Sequence, residues 1–477
     1  MSIERVAVTG LKWTGAAKLA GQVAAWLITL FVLRLLVPQD YGLMAISSVV
    51  IAVSATVAEL GLGTSIVQSP ALAKRELEQV AGLAIVLNLS IGSVVMLLAT
   101  WASSLFHEQR LTGVIQLSAL QFLFAALSTV PEAIAYRDMR FKWLAWLDLG
   151  SGLLAGLTTL GLAVAGAGVW SLVIGGLAGS GLRTGLLVGD TFIRPTFRLG
   201  GVRRHAVFGG SIAISRLAWQ LVNRADVLIA GRYLAPELVG LYSVSLHLAT
   251  LPMQKIMSIV NQVSLPTIAR LQGDPTRLRE RLLFALRLLN FVILPLTWGV
   301  SAVAPEFIAL VLGPKWTAAV FPLQIASLIV PLSMTSSIVS TATVGLGAAV
   351  LNLRNTLINA VILPAAFLVG VRWGVVGLAA SGFVGMLVIL ALTLPSMCKV
   401  VGLDVRDLVR AGFAPMIAGA AMYGAVTLGR AAWPDMPLAL RLLGLILTGS
   451  IVYLAIITLV ERTIWRDVRR MVAALRA

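Results

Sequence analysis

The sequence predicts an all-α protein that crosses a membrane many times. Of its 477 residues, 58% are hydrophobic and only 12% are charged, whereas a soluble domain carries roughly 25% charged residues. The apolar residues come in runs of about 20 residues, the length that a helix needs to cross roughly 30 Å of hydrocarbon. These runs lack the alternation of a transmembrane barrel. The composition therefore excludes a soluble enzyme, a disordered chain and a coiled coil.

Short polar breaks divide the chain into fourteen predicted membrane spans. We expect the first run to be a retained span, because it is too long for the apolar core of a signal peptide and lacks a small-residue cleavage site. The eleventh and twelfth spans are separated only by the break at 372–374. The predicted bounds are 12–36, 42–67, 80–103, 113–134, 144–165, 168–189, 207–231, 238–265, 283–304, 318–346, 353–371, 374–397, 409–429 and 439–460.

The distribution of basic residues predicts the orientation. The net charge is +17, but no block of five or more consecutive basic residues occurs, so we expect no nucleic-acid partner. Lysine and arginine are concentrated in the N-terminus, alternate loops and the C-terminus, which places both termini in the cytoplasm. The single cysteine excludes an internal disulfide, and three scattered histidines do not suggest a metal site.

An internal repeat relates the first span to the seventh. A shift of 198 residues aligns Arg34 with Arg232, and it also aligns the Pro38/Gly42 and Pro236/Gly240 pairs. Shared apolar composition does not explain matching Arg and Pro residues at one offset. Both copies start on the same side of the membrane, so the repeat is parallel, with its axis along the membrane normal.

The repeat predicts two parallel six-helix lobes followed by two further helices. Two similar lobes around a central axis are typical of an alternating-access transporter with its substrate between them. The predicted divisions are an N-lobe at 1–190, a cytoplasmic basic linker at 191–206, a C-lobe at 207–398, and two helices with a cytoplasmic tail at 399–477.

Polar residues recur along one face of spans one, seven and eight. In span seven they fall within about 100° of arc, and Arg216 and Arg224 are about 12 Å apart along a continuous helix. Such cations favour a pyrophosphate or an acidic sugar as ligand; the alternative is that they join helices or snorkel to the interface. The predicted substrate-binding residues are Lys18, Gln22, Arg216, Gln220, Asn223, Arg224, Lys255 and Asn261.

Two acidic residues also lie within predicted spans. Glu59 is at a depth similar to that of Lys18, so an ion pair between them is the first expectation. The alternative is a protonatable carboxylate that carries a coupling proton. For Asp226 a salt bridge is favoured over a catalytic role.

Three local motifs resemble a known family. They are RLLVPQDYG at 34–42, ELGLG at 59–63 followed by VQ at 67–68, and NQV at 261–263 before Pro266. Together they resemble the Wzx-type polysaccharide flippases of the multidrug/oligosaccharidyl-lipid/polysaccharide exporter superfamily over most of 1–400. The resemblance implies export of a lipid-linked saccharide, typically an undecaprenyl-pyrophosphate oligosaccharide, from the cytoplasmic to the periplasmic leaflet. The last two helices are shared by only some members, including lipid II flippases.

We therefore predict a flippase of the bacterial cytoplasmic (inner) membrane that serves lipopolysaccharide or exopolysaccharide biosynthesis. Its expected partners are the lipid-linked oligosaccharide, membrane lipids, and a polysaccharide polymerase with other assembly proteins. The sequence contains no P-loop, and neither a cofactor nor a metal is predicted.

Two alternatives belong to other functional classes. A multidrug/cation antiporter of the same superfamily needs acidic residues to hold a cation, whereas the predicted cavity is mainly basic. A membrane polymerase or glycosyltransferase needs a large loop or paired exposed carboxylates, and the sequence predicts neither.

Overall fold

The computed structural model describes residues 21, 24–59, 61–68, 73–197, 216–251, 253, 274–461 and 465–466. Every regular element in these ranges is helical, which confirms the all-α prediction. The helices are α1 (Ala24–Leu35), α2 (Pro38–Glu59), α3 (Leu62–Gln68), α4 (Lys74–Leu105), α5 (Arg110–Ser118), α6 (Gln121–Arg137), α7 (Phe141–Val164), α8 (Val169–Asp190), α9 (216–223), α10 (Ala225–Tyr233), α11 (236–251), α12 (Pro275–Phe307), α13 (Val320–Gly345), α14 (Ala349–Gly370), α15 (Gly374–Val400), α16 (Val405–Ala432) and α17 (Leu438–Val460).

The described residues contain ten stretches that are long and apolar enough to cross a membrane. One of them, Val350–Val400, combines α14 and α15 and so corresponds to two predicted spans. The chain is therefore a multi-pass membrane protein. Predicted spans 12–36, 207–231 and 238–265 run beyond the described residues, so the count of fourteen stays a prediction.

The boundary between α14 and α15 confirms the break predicted at 372–374. A single 3-10 turn, Val371–Trp373, connects the two helices. Gly374 has a φ of +67°, a conformation that side chains with a Cβ atom rarely adopt. A Cβ atom on Gly377 would overlap the carbonyl oxygen of Gly370. Glycine at these positions therefore permits the tight turn and the close packing that follows it.

Aspartate side chains cap the N-termini of two long helices, α12 and α16. Before α12, Asp274 Oδ1 accepts a hydrogen bond from the Arg277 N–H at 3.0 Å. Before α16, Asp404 Oδ1 accepts from the Arg406 N–H at 3.0 Å, and Asp407 Oδ2 accepts from the Asp404 N–H at 3.0 Å. These bonds satisfy N–H groups that have no partner inside a helix.

Packing divides the chain into two compact units, Met1–Gly240 and Leu241–Ala477. In the first unit, α3, α4 and α6 share a core to which Leu62, Ile66 and Val80 contribute. In the second, α12 packs against α13, α16 and α17, and Ile293 and Met334 belong to a buried core that α12 and α13 share with α15 and α16. The lobes and linker drawn from the repeat are a division by sequence and stay predictions.

The two copies of the repeat touch inside the first unit. Pro38 begins α2 and Pro236 begins α11. A Cβ atom on Gly42 would overlap the carbonyl oxygen of Pro236, and one on Gly240 would overlap that of Pro38. Equivalent residues therefore contact each other reciprocally, as they do around a two-fold axis. Glycine is required at both positions because the obstructing atoms belong to the backbone.

Candidate functional site

Arg216 joins the ends of three helices in the first unit. Its Nη1 lies 3.2 Å from Glu59 Oε1, at the end of α2. Its Nη2 donates to Thr64 Oγ1, in α3, at 3.3 Å. The Arg216 and Glu59 side chains are 45% and 46% exposed. This is an accessible ion pair with a hydroxyl beside it, and we call these three residues the Arg216 cluster.

Glu59, the last residue of α2, and Thr64, in α3, both contact the Arg216 guanidinium. Gly61, directly before α3, has a φ of +61°, a conformation that side chains with a Cβ atom rarely adopt. Leu62 and Ile66 of α3 are fully buried, and this packing fixes the position of α3 and of its residue Thr64. A Cβ atom on Gly63 would lie 3.9 Å from Glu59 Oε1, so the glycine leaves space beside the carboxylate.

The polar stripe of span seven follows a helix that is interrupted at Arg224. This residue has φ −118° and ψ 7°, outside the helical range. Its N–H still donates to the Gln220 carbonyl at 3.1 Å, and its carbonyl accepts from the Leu228 N–H at 3.0 Å. Because residues 216–223 are helical and Arg224 keeps its helical N–H bond, the change of conformation affects the chain after Arg224. The spacing predicted between Arg216 and Arg224 stays a prediction.

Other residues of the stripe bond locally. Asn223 Nδ2 donates to the Trp219 carbonyl of its own helix at 2.8 Å. Asp226 Oδ1 accepts from the Val227 N–H at 2.8 Å in the first turn of α10, where a carboxylate is favoured by the helix dipole. Asn223 and Arg224 are exposed. The stripe thus offers polar groups beside the Arg216 cluster, and two of its side chains also stabilise the helix.

Half of the predicted binding residues lie outside the described residues: Lys18, Gln22, Lys255 and Asn261. Because Lys18 lies outside the described residues, the predicted pair between Lys18 and Glu59 stays a prediction. Where the structure describes Glu59, its partner is Arg216.

The structure contains two networks of charged side chains that the sequence does not predict. In the first unit, Arg183 binds both Glu132, at 2.6 Å, and Asp148, at 3.2 Å. In the second, Arg430 Nε lies 2.7 Å from Glu306 Oε1. Each acidic residue stands in or beside an apolar run, where a carboxylate normally has a partner. The sequence therefore indicates which acidic residues need a cationic partner, but it does not indicate which arginine that partner is.

The Arg216 cluster has the chemistry of an anion-binding site. A guanidinium has five N–H donors in a planar fork that suits phosphate or carboxylate, and hydrogen bonds between charged groups are the strong ones. Here Glu59 is the bound anion. The pair is about half exposed.

The sequence is similar to a protein family and to individual polysaccharide biosynthesis proteins. The profile of a family described as "Polysaccharide biosynthesis protein" matches residues 31–321. An "Uncharacterized membrane protein in cps region" of Klebsiella pneumoniae is 25% identical over 389 residues, covering 80% of each chain. The "Lipopolysaccharide biosynthesis protein WzxC" of Escherichia coli K12 is 26% identical over 334 residues, covering 68% of this chain and 67% of that protein.

Two groups of solved structures share the fold. "Lipid II flippase MurJ, inward closed conformation" has a TM-score of 0.70 at 16% identity and covers 94% of this chain and 99% of its own. An inward-facing MATE-family multidrug resistance transporter of the MOP superfamily has a TM-score of 0.61 at 14% identity, covering 79% and 95%. The matched family segment, 31–321, includes all three residues of the Arg216 cluster.

Proposed function

The chain belongs to the polysaccharide biosynthesis protein family, and from this premise we infer that it flips a lipid-linked oligosaccharide across the membrane. The observation that carries this inference is the family match over 31–321. The named relative WzxC is a lipopolysaccharide biosynthesis protein, and the Wzx-type resemblance found in the sequence agrees with it. The fold shared with MurJ is suited to this task.

We assign substrate binding to the Arg216 cluster and to the polar residues that follow it on α9 and α10. The pyrophosphate of a lipid-linked oligosaccharide carries the charge that a guanidinium binds in bidentate fashion. In this proposal the pyrophosphate competes with Glu59 for Arg216. Thr64 then remains as a hydroxyl partner, and release of the substrate lets Glu59 return.

Alternating access follows from this exchange. A site that releases its own carboxylate when substrate binds has a different charge distribution in its two states, and such a difference lets a ligand shift a conformational equilibrium. The site is then exposed first to the cytoplasmic side and afterwards to the periplasmic side. No bond of the substrate is made or broken, so the protein acts as a transporter and not as an enzyme.

The proposed location is the bacterial cytoplasmic (inner) membrane, with both termini in the cytoplasm. The excess of basic residues in the N-terminus, alternate loops and C-terminus supports this orientation. A polysaccharide polymerase and other assembly proteins are the proposed partners, since they would receive the flipped oligosaccharide.

Export of surface polysaccharide by variants of the Arg216 cluster tests this proposal in cells. Arg216→Ala is expected to abolish export at normal protein abundance, because an exposed pair adds little to stability. Arg216→Lys keeps the charge but loses the fork, so partial export is expected. Arg277→Ala is the matched control, since Arg277 is 76% exposed and pairs with Asp274, three residues away on the same chain segment. Normal export by a well-expressed Arg216→Ala variant would overturn the assignment.

A further inference from the structure

A polar cavity lies between α2, α5, α6 and α8 in the first unit. Its volume is about 260 Å³, and none of the described residues that line it is charged. Its polar lining residues are Ser47, Ser48, Ser118, Gln121 and Ser180. All five stand near the middle of helical stretches that are long enough to cross a membrane, where polar groups are costly unless they meet a partner or a water-filled space. The cavity is therefore suited to a polar occupant.

Hydrogen-bonding groups of this lining are available to a ligand. Ser47 Oγ donates to Ser118 Oγ at 3.4 Å, from one helix to another, and Ser48 Oγ donates to a carbonyl of its own helix at 2.7 Å. A hydroxyl oxygen that donates still has the capacity to accept. Among the described residues, nothing bonds the Gln121 amide or the Ser180 hydroxyl. The lining can thus both donate to and accept from the hydroxyl groups of one ligand.

The cavity lies on the same face of α2 as the carboxylate of the Arg216 cluster. Ser48, Ala52 and Ala55 line the cavity, and at 100° per residue they fall with Glu59 within about 60° of arc. Along the helix axis, Ala55 is about 6 Å and Ser48 about 16 Å from Glu59. Ala55, the lining residue of α2 nearest to Glu59, is exposed. A ligand held at Arg216 by its diphosphate can therefore extend along α2 into the cavity.

We propose that this cavity binds one uncharged sugar ring of the transported oligosaccharide while Arg216 holds the diphosphate. This assignment rests on the proposed function, and it adds a site for the neutral part of the substrate. A volume of about 260 Å³ is below the roughly 300–1,000 Å³ of pockets that hold drug-sized ligands, so one ring fits and a whole oligosaccharide does not. A carboxylate would lie in this cavity without a cation, and a hydrocarbon chain would leave the amide and the hydroxyls without partners.

Binding of two lipid diphosphates to the purified full-length protein tests the proposal. Native mass spectrometry is used to titrate the protein with bare polyprenyl diphosphate and, separately, with polyprenyl diphosphate that carries a neutral hexose trisaccharide. We expect wild type to bind the trisaccharide-bearing lipid about tenfold more tightly, a gain that one to three hydrogen bonds supply.

A substitution that fills the cavity is expected to remove this gain. Gly176 lines the cavity, and a Cβ atom on it would meet nothing within 4 Å, so Gly176→Leu fills the space without overlapping its neighbours. We expect this variant to bind both lipids with the affinity that wild type has for the bare lipid. Gly185→Leu is the matched control: its Cβ atom also meets nothing within 4 Å, and nine residues along α8 place it on the opposite face of the helix. It should bind like wild type.

Two further arms test the chemistry of the occupant. Gln121→Leu keeps a similar size and removes the amide, so it should lose part of the gain; it also carries the test if Gly176→Leu does not fold. With a hexuronic acid trisaccharide on the lipid, we expect wild type and Gly176→Leu to bind equally, because a carboxylate is disfavoured in a cavity without a cation.

Three results would overturn the proposal. They are equal binding of the bare and the trisaccharide-bearing lipid by wild type, an undiminished gain in Gly176→Leu, and tighter binding by Gln121→Leu, which would indicate an apolar occupant. The affinity for the bare lipid, compared between wild type and Arg216→Ala, reports on the Arg216 cluster instead. Failure of the proposed function and failure of the sugar site are therefore distinguishable.

Discussion

Replacing Glu306 by glutamine is expected to destabilise the second unit strongly. The side chain is 0% exposed and receives two hydrogen bonds from Arg430, with Arg441 close by. Glutamine keeps nearly the same shape but removes the negative charge. Two guanidinium groups are then left together at a buried position without a counter-ion.

The size of the effect follows from burial. Removing one partner of a buried ion pair costs about 3–5 kcal/mol, because the other charge stays uncompensated. The Arg430 side chain is 28% exposed, so partial hydration favours the lower end, near 3 kcal/mol. Replacing both partners is less damaging, and a coupling energy of about 0.5–3 kcal/mol is expected between Glu306→Gln and Arg430→Gln.

Reversible unfolding of the purified protein in detergent measures these free energies. Asp435→Asn is the matched control, because it removes an exposed carboxylate from the loop between α16 and α17 and should change stability by less than about 0.5 kcal/mol. The reasoning fails if Glu306→Gln unfolds within about 1 kcal/mol of wild type. It fails equally if the double variant is as unstable as the sum of the two single variants.

Three further predictions concern the first unit and the orientation. Gly240→Ala should cost about 1–3 kcal/mol of unfolding free energy, because its Cβ atom overlaps the facing backbone. Gly424→Ala is the control and should not destabilise the protein, since a Cβ atom there meets nothing within 4 Å. Equal stabilities of the two variants would contradict the reciprocal contact. Glu59→Gln should cost less than about 1 kcal/mol, since its pair with Arg216 is exposed, and a larger loss in the same unfolding assay would show that the pair is structural. A cysteine introduced at 191–206 on a cysteine-free background should resist a membrane-impermeant thiol reagent in intact cells, and ready labelling would reverse the orientation.

Features set by helix length and backbone geometry could be predicted from the sequence. The thickness of the hydrocarbon fixes the length of an apolar run, so the break between α14 and α15 was found at the right residues. The repeat was also visible, because matching Pro and Gly residues at one offset are not expected from apolar composition. The structure explains why Gly42 and Gly240 are glycines: each faces a backbone carbonyl of the other copy.

Partner choice could not be predicted in the same way. Glu59 and Arg216 are 157 residues apart, and Glu306 and Arg430 are 124 apart. The pattern of charges indicates that a buried acid needs a cation, but which cation it meets depends on helix packing. The change of backbone conformation at Arg224 was likewise invisible, because no proline or glycine marks it.

Movement of a lipid-linked oligosaccharide across vesicles that contain only the purified protein tests the central claim most directly. The substrate is placed in both leaflets, and the fraction accessible to an external glycan-modifying enzyme is followed over time. We predict that wild type makes the whole pool accessible and that Arg216→Ala leaves the inner half protected, as in protein-free vesicles. A protected inner pool in wild-type vesicles, together with accumulation of a cationic dye by the same vesicles, would contradict the account and favour a cation antiporter.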